Sequence, residues 1–210
     1  MNHSKQNSPS SWTATELKKI KRLKNPEGIQ NFLDAMPYHI ANTAWSPRTV
    51  LHEKSAHCLE GAIFAAAALR VLGYKPLIWD LEAENDTDHV IAVYQKNGCW
   101  GAVAKSNYTG CRGRLPVYKS LRELAMSYFH IYFNSRRERT LRRFSRPVDL
   151  TRFDTLNWMT TPKPVWFIVE HLFTIPHTDL FTKQQIREFA KVDKRTCQAE
   201  VLGKAYKTKK

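Results

Sequence analysis

The sequence predicts an α+β protein in which a buried central helix packs on an antiparallel sheet, followed by a helical extension. Three observations carry this. Residues 58–72, from Cys58 through Leu59-Glu60-Gly61-Ala62-Ile63-Phe64 to Leu72, are apolar around nearly the whole helical circumference and close on Gly73, a pattern of a helix covered on more than one face and stopped by a residue that tolerates positive φ. Asn97-Gly98 stands between two apolar runs, the strongest short hairpin signal. Ser120-Leu121-Arg122-Glu123 offers the N-cap hydroxyl and N3 carboxylate of a capping box.

In chain order, Leu17, Ile20 and Leu23, then Ile29, Phe32 and Leu33, recur at helical spacing on either side of Asn25-Pro26-Glu27-Gly28, which gives two helices joined by a turn. Residues 37–57 show no sustained period and read as an irregular lead-in. After the central helix, Pro76 to Leu81 reads as a strand, Glu82 to Asp88 as an acidic loop, and His89 to Tyr94 and Trp100 to Ala104 as the hairpin strands. Asn107 to Arg114 is a Gly-containing loop, 116–118 a short extended piece, and 120–133 an aromatic-rich helix. Residues 1–14 are expected to be a disordered tail, 15–136 the core domain, and 137–210 a basic, mainly helical extension packed on it, with helices near Val165 to Phe173 and Lys183 to Lys191.

Composition narrows the function. With 210 residues, one core is expected and not two full domains. The longest apolar run, Ala62 to Leu69, stops at Arg70, far short of the roughly 20 residues a spanning helix needs. The polar start lacks the apolar stretch of a secretory signal, which favours a cytoplasmic protein. Four cysteines without a CxxC pair argue against a zinc site and a disulfide scaffold, and no cofactor or metal is expected. Of 33 basic residues, 17 lie in 131–210, six of them arginines between Arg136 and Arg146. That cluster could meet an acidic partner.

The chemistry is carried by Cys58. Acyl transfer by a thiol needs a thiolate, a base that later acts as acid, a group that orients the base, and donors for the oxyanion. At a helix N-terminus beside an imidazolium, a cysteine is expected well below its usual pKa of about 8.5, and the free N–H groups of the first turn can face an oxyanion. His89 opens an otherwise apolar strand after a polar loop, as a cleft-facing base would. A two-residue turn at Asn97-Gly98 pairs Lys96 with Cys99 and sets His89 opposite Ser106; a three-residue turn places Lys105 there, and an irregular strand end brings in Asn107. The orienting group is then Ser106 or Asn107, and Asn suits it better because its carbonyl accepts from the ring N–H.

A Cys at the start of a buried helix, a His opening a strand, and an antiparallel strand with Trp after a Gly turn (Cys58, His89, Gly98, Trp100) resemble the transglutaminase-like superfamily, within the papain-like cysteine-proteinase fold, over roughly 45–133. The resemblance implies Cys58 as nucleophile and His89 as base, in a peptidase, amidase or acyltransferase acting on a peptide or protein amide or related acyl bond through a thioester. The acidic residue usual in the family a few positions after the strand Trp is replaced by Val103, Ala104 and Lys105, with Ser106-Asn107 the nearest polar substitutes.

Other residues read as structural. Cys99 and Cys197 have no matching His, Cys111 lies in a loop that could rim the cleft, and His52 and His57 are spaced i, i+5, which does not set two ligands on one helical face. His171 and His177 suit capping and surface contacts. The acidic run Asp80, Glu82, Glu84, Asp86, Asp88 reads as a solvated loop that would repel polyanions from the site, against a nucleic-acid substrate. A second reading, from another class, is a catalytically weak binding module whose basic region engages an acidic partner or nucleic acid.

Overall fold

A computed structural model describes residues 11–206. The chain is an α+β fold built on one open antiparallel sheet of seven strands. In chain order the elements are α1 (Ala14–Lys21), α2 (Pro26–Asp34), α3 (Pro47–Glu53), α4 (Cys58–Val71), β1 (Leu77–Ala83), β2 (His89–Lys96), β3 (Cys99–Val103), β4 (Arg114–Tyr118), α5 (Leu121–Phe129), β5 (Leu141–Ser145), β6 (Val148–Asp149), a 3-10 helix (Leu150–Leu156), α6 (Trp166–Thr174), β7 (His177–Asp179), α7 (Lys183–Arg187) and α8 (Lys194–Glu200). The strand order is β4-β3-β2-β1-β5-β7, with β6 also paired to β1.

The sheet splits the interior in two because its strands alternate. Ile78, Val90, Ala92, Tyr94 and Val103 face a core shared with α1 to α4 and α6. Trp79, Leu81, Ile91, Val93 and Ala102 face a second core with α5 and the aromatics Phe129, Phe181 and Phe189. Every residue of α4 from Leu59 to Leu69 is buried, and each large apolar side chain so covered contributes roughly 1.5–3 kcal/mol. The helix ends at Gly73, φ +91°, which supplies the left-handed stop.

The hairpin follows the two-residue register: Lys96 pairs with Cys99, Tyr94 with Gly101 and Ala92 with Val103, with Asn97 and Gly98 both at positive φ as a type I′ turn requires. Strand pairing stops at Val103, so the ladder ends before His89 meets Ser106.

Several expectations need correction. The segment after residue 136 is not helical alone: between its helices, β5, β6 and β7 extend the central sheet, so β1 lies inside it. The arginine density hid β5, whose Arg142 and Arg143 pair with Glu84 and Glu82 at the end of β1. Helix α3 lies in the segment read as irregular, capped by Ser46 with Pro47 in its first turn. Helix α5 ends at Phe129 with His130 as C-cap. Helix α2 begins at Pro26, inside the expected turn, because Asn25 caps it. Of residues 11–14, Trp12 packs against the core, Thr13 caps α1 and Ala14 begins it; residues 1–10 of the expected tail lie outside the described residues. Among the described residues no helix is long and apolar enough to cross a membrane.

Candidate active site

Cys58 is the first residue of α4. The elements that place it are held by Glu60, two residues on in the same first turn and fully buried. Its carboxylate accepts from Thr43 Oγ1 at 2.6 Å, Trp45 N at 3.1 Å and His57 N at 3.2 Å, and contacts His39 Nδ1 at 3.0 Å. Segment 39–45 is thereby tied to the first turn of α4. His57 is fixed separately, Nε2 donating to the Thr43 carbonyl at 2.8 Å, and His39 stacks on Trp45.

His89 is the first residue of β2 and is buried. Its Nε2 lies 2.8 Å from the Cys111 carbonyl oxygen. A carbonyl only accepts, so Nε2 carries the proton and Nδ1 the lone pair. Val90, the next residue, acts on the Cys58 thiol together with Leu59 and the Tyr38 side chain, each favouring its charged form. Cys58 and His89 line one cavity of about 160 Å³, with Tyr38, Asp86, Asp88 and Cys111 among its walls.

Ser106 and Asn107 line the same cavity but neither orients His89. The Ser106 hydroxyl accepts from Tyr108 N at 3.0 Å, and Asn107 exchanges two bonds with Ala205, at 2.9 and 2.8 Å. With the ladder ended at Val103, the chain leaves β3 before either residue comes opposite His89, and the loop returns a main-chain oxygen instead. Sequence reasoning missed Cys111 in this role because a carbonyl has no residue signature. Lys105, at the place of the missing acidic residue, turns to the C-terminal end of α2: Nζ donates to the Leu33 carbonyl at 2.8 Å and to the Met36 carbonyl. Gly61 permits this, since a Cβ there would collide with the Lys105 side chain.

Electrostatics correct the expected thiolate. Burial pushes the Cys58 thiol above its ordinary value, against the opposing hydrogen bonds of Leu59, Val90 and Tyr38. Burial likewise lowers His89 to about 4, the Cys111 carbonyl working against it and the positive charge of Arg114 with it. The resting pair is thus neutral thiol and neutral imidazole, because desolvation outweighs the helix N-terminus. Burial also pushes Cys111 up to about 12 and Tyr38 above its usual range.

A second, larger cleft of about 670 Å³ opens on the other side of Cys58, shares Tyr38, Thr87 and Asp88 with the first, and is walled by Leu59, Val90, Trp166, Val169, Leu172 and Phe173. Trp166 and Phe173 stand exposed at its edge. Cys58 therefore sits where a mainly apolar cleft meets a smaller one of mixed lining.

Two histidines fill structural roles. His52 bonds Glu16 Oε1 at 2.9 Å, far from the partners of His57, and among the described residues no group of three or more His, Cys, Asp or Glu side chains could hold a metal ion. His177 differs from its expected surface role: its Nε2 bonds buried Asp80 at 2.9 Å and joins β7 to β1.

Comparison with models of known protein families gives no match, and comparison with curated proteins gives none.

Proposed function

We propose that this chain is a cysteine-nucleophile enzyme of the transglutaminase-like kind, on a papain-like core, acting on an amide or related acyl bond through a thioester. One observation carries the reading: Cys58 at the start of a buried helix and His89, with Nε2 fixed by a main-chain carbonyl and its Nδ1 lone pair unprotonated, line one cavity beside an apolar cleft.

As the Cys58 sulfur bonds to the acyl carbon, its proton passes to His89 Nδ1, so a neutral pair becomes charged only when substrate has excluded water. The carbonyl oxygen gains negative charge, for which the first-turn N–H groups of α4 and the Tyr38 hydroxyl are the proposed donors. Collapse breaks the C–N bond, His89 returns the proton to the leaving amine, and the acyl group stays on sulfur as a thioester. Water or a second amine, losing a proton to His89, then takes the acyl group and restores the thiol. The acyl portion fits the apolar cleft of Trp166 and Leu172, the leaving group the smaller cavity of mixed lining.

The binding-module reading loses ground because Arg142 and Arg143, the centre of the basic run, are occupied by Glu84 and Glu82. The test is incubation with a panel of aminocoumarin amides of N-acylated amino acids, followed by acid quench and intact mass. An acyl adduct on Cys58 that is absent from Cys58→Ala and slowed at least about 100-fold in His89→Ala supports the proposal. Equal release of coumarin by wild type and Cys58→Ala overturns it.

A further inference from the structure

We propose that Glu200 is a positioning residue for His89, acting through the loop that carries the Cys111 carbonyl; this rests on the dyad reading above. The loop between β3 and β4 contains Gly110 and Gly113 and little apolar side chain, so its shape has to come from outside partners. Apart from Arg114, which bonds the Gly110 carbonyl, those of 107–110 come from α8 and the residues after it. Thr109 N donates to the Glu200 carbonyl at 3.1 Å, Gly110 N to Glu200 Oε2 at 2.7 Å, and Thr109 Oγ1 to the Leu202 carbonyl at 3.3 Å. Asn107 and Ala205 exchange two bonds, and Lys204 Nζ donates to the Tyr108 hydroxyl at 2.7 Å.

Glu200 is the centre of this set. Its side chain is buried, and burial raises its pKa against the Gly110 N–H that it accepts. A carboxylate is costly to bury without a specific partner, and a charge-assisted bond to a backbone N–H is about twice as strong as a neutral one. The fit is close: a Cβ on Gly110 would collide with Glu200 Oε1 and with Ile131. Next along the chain, Arg114 Nη2 donates to the Gly110 carbonyl at 2.9 Å, and the Tyr128 hydroxyl to the Arg112 carbonyl at 2.9 Å. The Cys111 peptide is thus held on one side by Arg114 and Tyr128 from the core and on the other by Glu200 from α8. Its carbonyl oxygen is aimed at His89 Nε2. Releasing Glu200 would let that oxygen wander and the imidazole change tautomer, while Cys58 and α4, held by Glu60 and segment 39–45, would stay in place.

The experiment compares wild type, Glu200→Gln and Glu200→Leu in the full chain by 15N NMR of the histidine rings and by the rate of Cys58 alkylation with iodoacetamide against pH, with thermal unfolding alongside. Glu200→Gln keeps an oxygen for Gly110 N–H and should retain an Nε2–H tautomer at His89 and a rate within about threefold. Glu200→Leu should give mixed tautomers and lose at least about tenfold of the His89-dependent rate. Should Glu200→Leu fail to fold, Gly110→Ala, which displaces the same contact, replaces it under the same readouts. An unchanged His89 tautomer in a folded Glu200→Leu or Gly110→Ala protein overturns the positioning role. Alkylation that is equally fast in wild type and His89→Ala would instead sink the dyad, and the tautomer readout keeps the two failures apart.

Discussion

His89 Nε2 and the carbonyl oxygen of Cys111 face each other across 2.8 Å, and the Cys111 side chain has no part in the bond. Cys111 and Cys58 therefore separate cleanly by mutation although both line the cavity. Cys111→Ala leaves the main-chain acceptor in place and should keep acylation within about threefold, with roughly 1 kcal/mol of lost packing. Cys58→Ala should abolish the acyl adduct at comparable stability. Intact mass and thermal unfolding of the two variants check this; a dead Cys111→Ala of normal stability would show that the thiol, not the carbonyl, serves His89.

The neutral dyad has a pH signature. With the Cys58 thiol raised and His89 at about 4, iodoacetamide should react slowly and with little pH dependence between about pH 5 and 8, and faster above that as thiolate forms. A plateau of fast reaction already present at pH 5 would mean a resting ion pair.

Stability against pH follows from two opposed shifts. His89 falls from 6.5 to about 4 on folding, so its contribution is complete above pH 6.5 and is lost as pH falls through about 4. Asp80 moves the other way, from 3.8 to about 6, driven by burial against the His177 bond; its contribution is complete below pH 3.8 and is lost as pH rises through about 6. Each is about 3 kcal/mol at about 1.4 kcal/mol per unit, so these two contributions nearly cancel between pH 6.5 and 4. Asp80→Asn should expose the His89 loss on acidification, and His89→Gln the opposite slope. Urea unfolding at pH 4, 5, 6 and 7 measures both; parallel curves for the three proteins would contradict these assignments.

The hairpin and the central helix were legible because each is written in local residues. Asn97-Gly98 dictates a turn and Ala62 to Leu69 a covered helix, and the pairing of Lys96 with Cys99 follows from the turn. What escaped depends on distant partners. Strand β5 has an arginine-rich sequence that makes sense only once Glu82 and Glu84 lie beside it. The orienter of His89 escaped because a carbonyl is common to every residue, and its selection depends on where Glu200, Arg114 and Tyr128 hold the loop. The sense of the Cys58 shift was misjudged because sequence shows the helix N-terminus but not the depth of burial that opposes it.

Gly98 sits at φ +75° in a two-residue turn that also holds Asn97 at +51°. A Cβ there meets nothing within 4 Å, so the cost of Gly98→Ala is backbone strain alone, about 1–2 kcal/mol. The hairpin register places His89 at the start of β2, yet the turn is remote from the cleft. Gly98→Ala should lower the unfolding midpoint without altering the pH profile of Cys58 alkylation. A changed profile at modest destabilisation would reveal that the ladder, and not the loop, sets the position of His89.

Glu60 gives the sharpest separation of fold from chemistry. Its buried carboxylate accepts from Thr43, Trp45 and His57 and meets His39, so Glu60→Ala strands several donors and should cost about 3–5 kcal/mol. Glu60→Gln keeps one oxygen but sets an amide NH2 against some of these donors, and about 1–3 kcal/mol is expected. The loss falls on segment 39–45, which walls the apolar cleft, and not on the loop that orients His89. In Glu60→Gln, acylation by substrates with large apolar acyl groups should weaken through KM, while the alkylation profile of Cys58 keeps its shape. Denaturant unfolding and acylation kinetics on one preparation decide the matter: a fall in kcat with unchanged KM would mean that Glu60 acts on the nucleophile through the first turn of α4, and not on the cleft.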